Sequence, residues 1–184
     1  MFLNIDILLT RWINNLAGLH PFLDALMIGT TRAAIPLMVL AVGVRWWSRF
    51  EREQERQLAI ETGLTFVVGL LVNLAILLFV TRVRPYDAGI THLIVAPSTD
   101  PSFPSDHATG AMAIVIAMWL NHRGRRAILF FMVAALLILS RVYVGTHYVS
   151  DVIGGAGTAL VAALIVRATA GIRTPISAAI TRIL

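Results

Sequence analysis

The chain has 184 residues, of which 58% are hydrophobic and 14% are charged. Soluble domains carry about 25% charged residues, so this composition excludes an ordinary soluble domain and predicts one membrane-embedded domain over residues 1–184. Cysteine is absent, which excludes disulfides, thiolate catalysis and zinc–thiolate sites. The net charge of +5 comes from arginines that cluster between apolar segments. That pattern is typical of membrane topology, and we expect no nucleic-acid partner.

The opening segment, residues 1–19, combines a helical apolar face with polar interruptions at Asp6, Arg11, Asn14 and Asn15. This pattern predicts an amphipathic helix that lies in the membrane interface. A sixth membrane-spanning helix is the alternative.

Five later stretches are apolar enough to cross a membrane as helices, which takes about 20 residues for about 30 Å of hydrocarbon. They are residues 23–47, 58–80, 106–120, 127–144 and 149–168, of which the third is short. The predicted fold is therefore an all-α, polytopic transmembrane helical bundle with five to six spans.

The loops predict how the bundle is oriented. Residues 45–56 and 121–126 are short and rich in arginine, so the positive-inside rule places both in the cytoplasm. Residues 82–104, which contain four prolines, and the turn at 145–150 then face outward. In a bacterium, that side of the inner (plasma) membrane is the periplasm or the cell exterior.

The outward segments contain residues suited to binding an anion. Ser105 is a candidate N-cap, and the free N–H groups that follow it, beginning at Asp106, lie at the positive end of a helix dipole. Arg84 and Arg141 offer planar forks that match phosphate oxygens. Each of these residues alone has an ordinary structural explanation, but together on one face they predict a phosphate site.

Two histidines add chemistry to this predicted site. His147 and Asp151 are four residues apart, so on a helix they share a face. A carboxylate there can hold the imidazole Nδ1–H and leave Nε2 free to attack. His107 follows the anion site directly and can protonate a departing oxygen.

These residues resemble the signature of the type 2 phosphatidic acid phosphatase superfamily, which has three parts: Lys-x6-Arg-Pro, Pro-Ser-Gly-His and Ser-Arg-x5-His-x3-Asp. The third part is complete at residues 140–151, which read SRVYVGTHYVSD. The second reads FPSDHA at residues 103–108, with Asp106 in place of glycine. The FPSDHA sequence is similar to that of the undecaprenyl-diphosphatase subfamily. The resemblance covers residues 58 to about 157, the predicted motif-bearing core.

The first part of the signature is incomplete. Arg84-Pro85 is present, but Leu77 stands where the family has lysine. We predict that Arg82 supplies the missing cation to the phosphate, with Arg32 as the second candidate.

The resemblance implies a phosphate pocket formed by Arg84, Ser105, Arg141 and the backbone amides near Asp106 and His107. It further implies that His147 attacks phosphorus to form a phosphohistidine, that Asp151 orients His147, and that His107 protonates the leaving group. No metal or cofactor is expected.

By this resemblance the chain is a membrane phosphatase that converts undecaprenyl diphosphate to undecaprenyl phosphate and phosphate. Phosphatidylglycerol phosphate, phosphatidic acid and lipid A phosphate are alternative substrates. A membrane protein that binds a lipid phosphate without hydrolysing it is the alternative from another class, and Leu77 is its only support. The sequence does not specify the oligomeric state.

Overall fold

The computed structural model describes residues 2–170, and over that range it contains six α-helices and no β-strand. The helices are α1 (Phe2–Asn14), α2 (Pro21–Gly43), α3 (Arg52–Leu77), α4 (Asp106–Leu120), α5 (Gly124–Tyr143) and α6 (Val149–Ala168). The all-α prediction is confirmed. Residues 171–184 of the predicted domain lie outside the described part.

Within residues 2–170, four helices are long and apolar enough to cross a membrane: α2 with its 3₁₀ extension Val44–Trp47, α3, α5 and α6. Helix α4 is apolar but has 15 residues, about 22 Å at 1.5 Å per residue, and it corresponds to the short third stretch of the sequence prediction. Helix α1 has 13 residues and is too short to cross about 30 Å of hydrocarbon. The chain is a multi-pass membrane protein, and the length of α1 favours an interfacial helix over a sixth span.

Helix α4 lies at the centre of the bundle, where it packs against α3, α5 and α6. Its buried positions are mostly small residues, including Ala108, Ala111 and Ala113, which let the neighbouring backbones approach closely. One close approach is at Gly155 of α6, where an added Cβ would lie 2.5 Å from the carbonyl oxygen of Ser105. The beginnings of α4 and α6 are therefore held side by side.

Helix α1 buries polar residues and exposes apolar ones. Asp6, Thr10 and Asn14 recur every four residues and are all buried, whereas Leu8 and Trp12 are 64% and 74% exposed. A helix with its apolar side outward suits the edge of a bilayer, because the lipid covers that side. The polar side of α1 faces the rest of the protein.

The connecting segments separate into two ends of the bundle. Glu55 of α3 bonds to Arg45 and Arg126, so the two arginine-rich loops lie together, as the sequence predicts. At the other end, the long loop between α3 and α4 meets the turn between α5 and α6, where Arg84 donates to the carbonyl of Thr146. The residues predicted to form the site all belong to this second end.

Candidate active site

Arg84 joins the two segments that form the site. It follows α3, and its side chain is 4% exposed. Its Nη1 donates to the carbonyl of Thr146 at 2.9 Å, its Nε donates to the carbonyl of Asp100 at 2.8 Å, and its Nη2 pairs with the Asp100 carboxylate at 2.9 Å. The planar guanidinium is thereby held in a buried position, with its charge partly balanced by Asp100.

The ring of His147 is held in one orientation. Its Nδ1 lies 2.8 Å from the carbonyl oxygen of Ser102. A carbonyl only accepts hydrogen bonds, so Nδ1 carries the proton and, in the neutral ring, Nε2 carries the lone pair. Nε2 lies 3.4 Å from Nη1 of Arg84. The unprotonated nitrogen therefore faces the cation that the sequence assigns to phosphate.

The contact between His147 and Asp151 differs from the prediction. Oδ2 of Asp151 is 3.7 Å from Nδ1 of His147, which is longer than a hydrogen bond, and Ser102 accepts the Nδ1 proton instead. The reason is that His147 lies in the turn before α6, so the helical i, i+4 geometry does not apply. Asp151 and the ring instead share Ser102 as a partner, since the Asp151 carboxylate accepts the hydroxyl of Ser102 and the ring donates to its carbonyl.

The environment of His147 favours the neutral ring. Burial lowers the pKa of this imidazole below its usual value near 6.5, and the positive charges of Arg141 and Arg84 lower it further. Asp151 has the opposite effect but does not outweigh them. At neutral pH the ring is therefore uncharged and its Nε2 can act as a nucleophile.

Among residues 2–170, two buried side chains at this end have hydrogen-bond donor atoms without a partner. They are Oγ of Ser105, which is 0% exposed, and Nε of Arg141, which is 9% exposed. Ser105 occupies the predicted N-cap position of α4, but its side chain makes no capping bond. An unsatisfied buried polar group costs about 1–3 kcal/mol, so two such groups in one pocket indicate a binding site for an anion.

The beginning of α4 completes the pocket. His107 is half-buried in its first turn and lies close enough to Arg141, His147 and Arg84 for their charges to interact. The side chain of Asp106 is exposed and accepts a hydrogen bond of 2.7 Å from Asn73 of α3. The first N–H groups of α4 have no intrahelical acceptor and are therefore suited to phosphate oxygens.

The side chain of Arg82 binds groups of the protein, whereas the sequence predicts that it binds the phosphate. Its Nη1 donates to Oδ1 of Asp151 and to Oγ of Ser150, both at 2.6 Å, and its Nη2 pairs with Asp6 at 2.7 Å. Arg82 binds Oδ1 of Asp151, whereas Oδ2 is the oxygen that lies near His147. Arg32, the second candidate for the missing lysine, is exposed on α2.

The structure brings together six predicted residues and adds three that sequence reasoning missed. The predicted residues that meet here are Arg84, Ser105, His107, Arg141, His147 and Asp151. The missed ones are Ser102, which accepts from His147, Asp100, which pairs with Arg84, and Asp6, which pairs with Arg82. Asp100 and Ser102 lie in an irregular proline-containing loop, where no periodicity signals a side-chain direction.

Comparisons with known proteins agree with the resemblance. Undecaprenyl-diphosphatase BcrC of Bacillus subtilis strain 168 is 34% identical over 151 residues, which cover 81% of this chain and 76% of that protein. Phosphatidylglycerophosphatase B of the same organism is 30% identical over 151 residues, or 74% and 70% of the two chains.

Among solved structures, the first transmembrane PAP2 type phosphatidylglycerolphosphate phosphatase from Bacillus subtilis has the same fold. It gives a TM-score of 0.70 at 24% identity and covers 91% of this chain and 85% of its own. The PAP2 superfamily model matches residues 58–174. With that match over most of its length and a relative at 34% identity, the chain belongs to the PAP2 superfamily.

Proposed function

We propose that the chain is a membrane lipid phosphatase that hydrolyses undecaprenyl diphosphate to undecaprenyl phosphate and inorganic phosphate. Membership of the PAP2 superfamily and the similarity to proteins named undecaprenyl-diphosphatase support a lipid phosphatase. The observation that carries the proposal is the buried His147, whose Nε2 lone pair faces Arg84 in a pocket with unbonded donors.

In the binding step, the terminal phosphate enters the pocket between the two arginines. Arg84 and Arg141 contribute guanidinium donors, Ser105 contributes its hydroxyl, and the first N–H groups of α4 complete the cradle. Binding gives partners to Oγ of Ser105 and Nε of Arg141, two buried donor atoms that have no partner among residues 2–170. The phosphate competes with the Asp100 carboxylate for Nη2 of Arg84.

In the first chemical step, Nε2 of His147 attacks phosphorus, a P–N bond forms, and the P–O bond to the lipid phosphate breaks. His107, which is protonated while the substrate phosphate is bound beside it, gives its proton to the departing oxygen, so undecaprenyl phosphate leaves with its charge reduced. The Nδ1–H bond to Ser102 keeps Nε2 aligned, and Asp151 offsets the positive charge that develops on the ring.

In the second step, His107 takes a proton from water, and the resulting hydroxide attacks phosphorus. The P–N bond breaks, inorganic phosphate leaves, and both histidines return to their starting states. The developing negative charge on the phosphoryl oxygens is stabilised by the same arginines and amides that bound the substrate. The proposed cycle uses no metal or cofactor.

The position of the site suits a lipid substrate. It lies at the end of the bundle opposite the arginine-rich loops, so the positive-inside rule puts it on the periplasmic or extracellular face of a bacterial plasma membrane. Helices α2, α3, α5 and α6 expose large apolar side chains along the bundle. The lipid tail can therefore stay in the bilayer while the headgroup reaches the pocket.

Phosphatidylglycerol phosphate is the second candidate substrate, because the relative with 30% identity is named for hydrolysing it. The pocket holds the phosphate itself, so its residues do not separate the two lipids. Phosphatidic acid and lipid A phosphate follow as further alternatives. A binding protein without activity is less well supported, since binding needs cations and amides but no aligned imidazole nitrogen.

The test is phosphate release by the purified protein in detergent, with EDTA present, from each of these lipids. We expect fastest release from undecaprenyl diphosphate, and a loss of about a thousandfold or more in His147→Asn. The matched control is His122→Asn, an exposed histidine at the arginine-rich end whose φ of 59° suits asparagine. Faster release from a phospholipid would replace the substrate, and full activity of His147→Asn would refute the mechanism.

A further inference from the structure

The buried polar face of α1 contacts the predicted active site. Thr10 accepts the backbone N–H of Val149 at 3.1 Å, at the first residue of α6. Asp6 accepts the N–H of Ser150 at 2.9 Å and its hydroxyl at 2.6 Å. These bonds attach α1 to the first turn of α6, which carries Asp151.

We propose that Asp6 and Arg82 are positioning residues of the phosphatase site, which hold the Asp151 carboxylate in place and, through Ser102, align the ring of His147. This inference rests on the proposed function, since it assigns a role in the same reaction. It also assigns α1 to the active site, as a helix that the reaction requires.

Arg82 is held at four points, which makes it a rigid link. It donates to Asp151, Ser150 and Asp6, and its guanidinium carbon lies 3.8 Å from the centroid of the Tyr148 ring. The two ends of its planar fork therefore face two carboxylates, one from α1 and one from α6. The link cannot move without displacing Asp151.

Asp151 connects Arg82 to His147 through Ser102. One of its oxygens is bound by Arg82, and the other accepts the hydroxyl of Ser102 and the N–H of Tyr148. Ser102 is also tied to Arg82 by its backbone, since its N–H donates to the Arg82 carbonyl at 2.8 Å. The carbonyl of Ser102 in turn accepts Nδ1–H of His147. The residues joined by these bonds are all buried or half-buried.

Loss of the charge of Asp6 and loss of the charge of Arg82 should change the protonation of His147 in opposite directions. Burial raises the pKa of Asp6, but hydrogen bonds from Ser150 and Arg82 outweigh it, so the carboxylate stays charged at neutral pH. Without that charge, Arg82 interacts with Asp151 alone, and Asp151 attracts a proton on His147 less strongly. Without Arg82, the Asp151 carboxylate is not neutralised and attracts that proton more strongly.

Other charges also face His147, and the test leaves them unchanged. They are Arg84 from the loop after α3, His107 from α4, Arg141 from α5 and Asp151 from α6, with Asp100 paired to Arg84. Any change that appears on replacing Asp6 or Arg82 therefore arises in the link itself.

A pair that only anchored α1 would behave differently. Its loss would lower the stability of the protein and the fraction of active molecules, while the folded molecules kept the same titration of His147. Opposite changes in that titration need the charges of Asp6 and Arg82 to act on the site.

The experiment compares Asp6→Asn, Arg82→Gln and their double variant in the full chain, with Arg11→Gln as the control on the exposed side of α1. We expect kcat to fall about 100-fold in Arg82→Gln and about 10-fold in Asp6→Asn, with KM changed less than about threefold, because a small misplacement of the reacting group has effects of this size. Arg82→Lys and Asp6→Glu should each recover part of kcat, and Arg11→Gln should match the parent.

The second readout is the titration of His147, followed by ¹⁵N NMR of histidine-labelled protein in detergent and assigned with His147→Asn. We expect His147 to titrate at lower pH in Asp6→Asn and at higher pH in Arg82→Gln. Shifts in the same direction, or none in folded protein, overturn the proposal. If Arg82→Gln does not fold, Asp6→Asn and Asp6→Glu carry the test.

The two proposals can fail separately. The NMR titration needs no substrate, so it reports on the link even if the parent protein hydrolyses none of the lipids. A rise in KM at constant kcat in Arg82→Gln would instead make Arg82 a ligand of the phosphate, as the sequence predicts, and would end its role as a positioning residue.

Discussion

Two fully buried carboxylates, those of Asp151 and Glu55, lie at opposite ends of the bundle, and arginines bind both of them. Asp151 is 0% exposed and pairs with Arg82, while Glu55 is 1% exposed and pairs with Arg45 and Arg126. The two groups differ in what surrounds them. The arginines beside Glu55 are 43% and 36% exposed, so one side of that cluster reaches water or lipid headgroups. Asp151 instead faces a buried imidazole.

The difference shows that a buried charge alone does not mark a reactive site in a membrane protein. Both ends contain ionisable groups that are costly to bury. At the Glu55 end, the charges satisfy one another and join the two arginine-rich loops. At the Asp151 end, Ser105 and Arg141 retain unbonded donor atoms, and the imidazole of His147 presents its Nε2 to Arg84 at 3.4 Å. Unsatisfied donors and a buried imidazole held in one orientation are the features that separate the two ends.

The largest expected difference between the ends is in activity, on replacing one arginine from each. Arg141→Gln removes donors from the phosphate pocket, and we expect phosphate release to fall about 100- to 1,000-fold, as for the loss of a donor to a transition-state oxyanion. Arg126→Gln removes a donor to Glu55 and should leave the rate of folded protein within about twofold. The measurement is kcat/KM for the preferred lipid in both variants.

Similar losses in the two variants would contradict this contrast. They would mean that the arginine-rich end contributes to turnover, or that both changes act through folding. The fraction of folded protein, from size-exclusion chromatography and far-ultraviolet circular dichroism, separates these explanations.

An intermediate effect is expected on stability at the Glu55 end. Glu55→Gln keeps the shape of the side chain but leaves Arg45 and Arg126 without their counter-ion. Because both arginines are partly exposed and can be rehydrated, we expect a loss of about 1–3 kcal/mol in the free energy of unfolding, below the value for a fully buried pair. SDS titration of the purified protein measures it.

The activity of Glu55→Gln serves as the check on that prediction. Per folded molecule, it should equal the activity of the parent, since the carboxylate lies at the end of the bundle remote from His147. A variant that keeps its stability but loses activity would reverse the roles of the two ends.

The helices themselves were largely predictable from the sequence. Helices α4 and α6 have the bounds of the predicted stretches 106–120 and 149–168. The prediction for α3 began at residue 58, whereas the helix begins at Arg52, because hydropathy detects only the apolar part of a helix. Residues 52–57 are all Glu, Arg or Gln, which are good helix formers, so they extend the same helix beyond its apolar part.

The site was predictable as a set of residues but not as a set of contacts. The motif spacing identifies His147, Asp151 and Arg141, since they lie within one short segment of the chain. No spacing rule relates Asp6 to Arg82, which are 76 residues apart, or indicates that Ser102 comes between the histidine and the carboxylate. Such contacts depend on how an irregular loop packs between helices, and local patterns do not encode that packing.

The smallest expected effect is the response of His147 to mild acid. Its pKa is lowered by burial and by two arginines, so the neutral ring persists below pH 6.5 and is lost only as the pH falls through this lowered value. Between pH 7 and pH 6.5 the population of neutral ring should therefore change little.

Titration of the His147 ring nitrogens by ¹⁵N NMR in parent protein measures this directly, and Arg141→Gln should raise the apparent pKa because one positive charge is gone. Arg126→Gln, at the other end, should leave it unchanged. A titration of the parent at or above pH 6.5 would mean that Asp151 dominates the environment of the ring, and the two ends would then differ less than their geometry indicates.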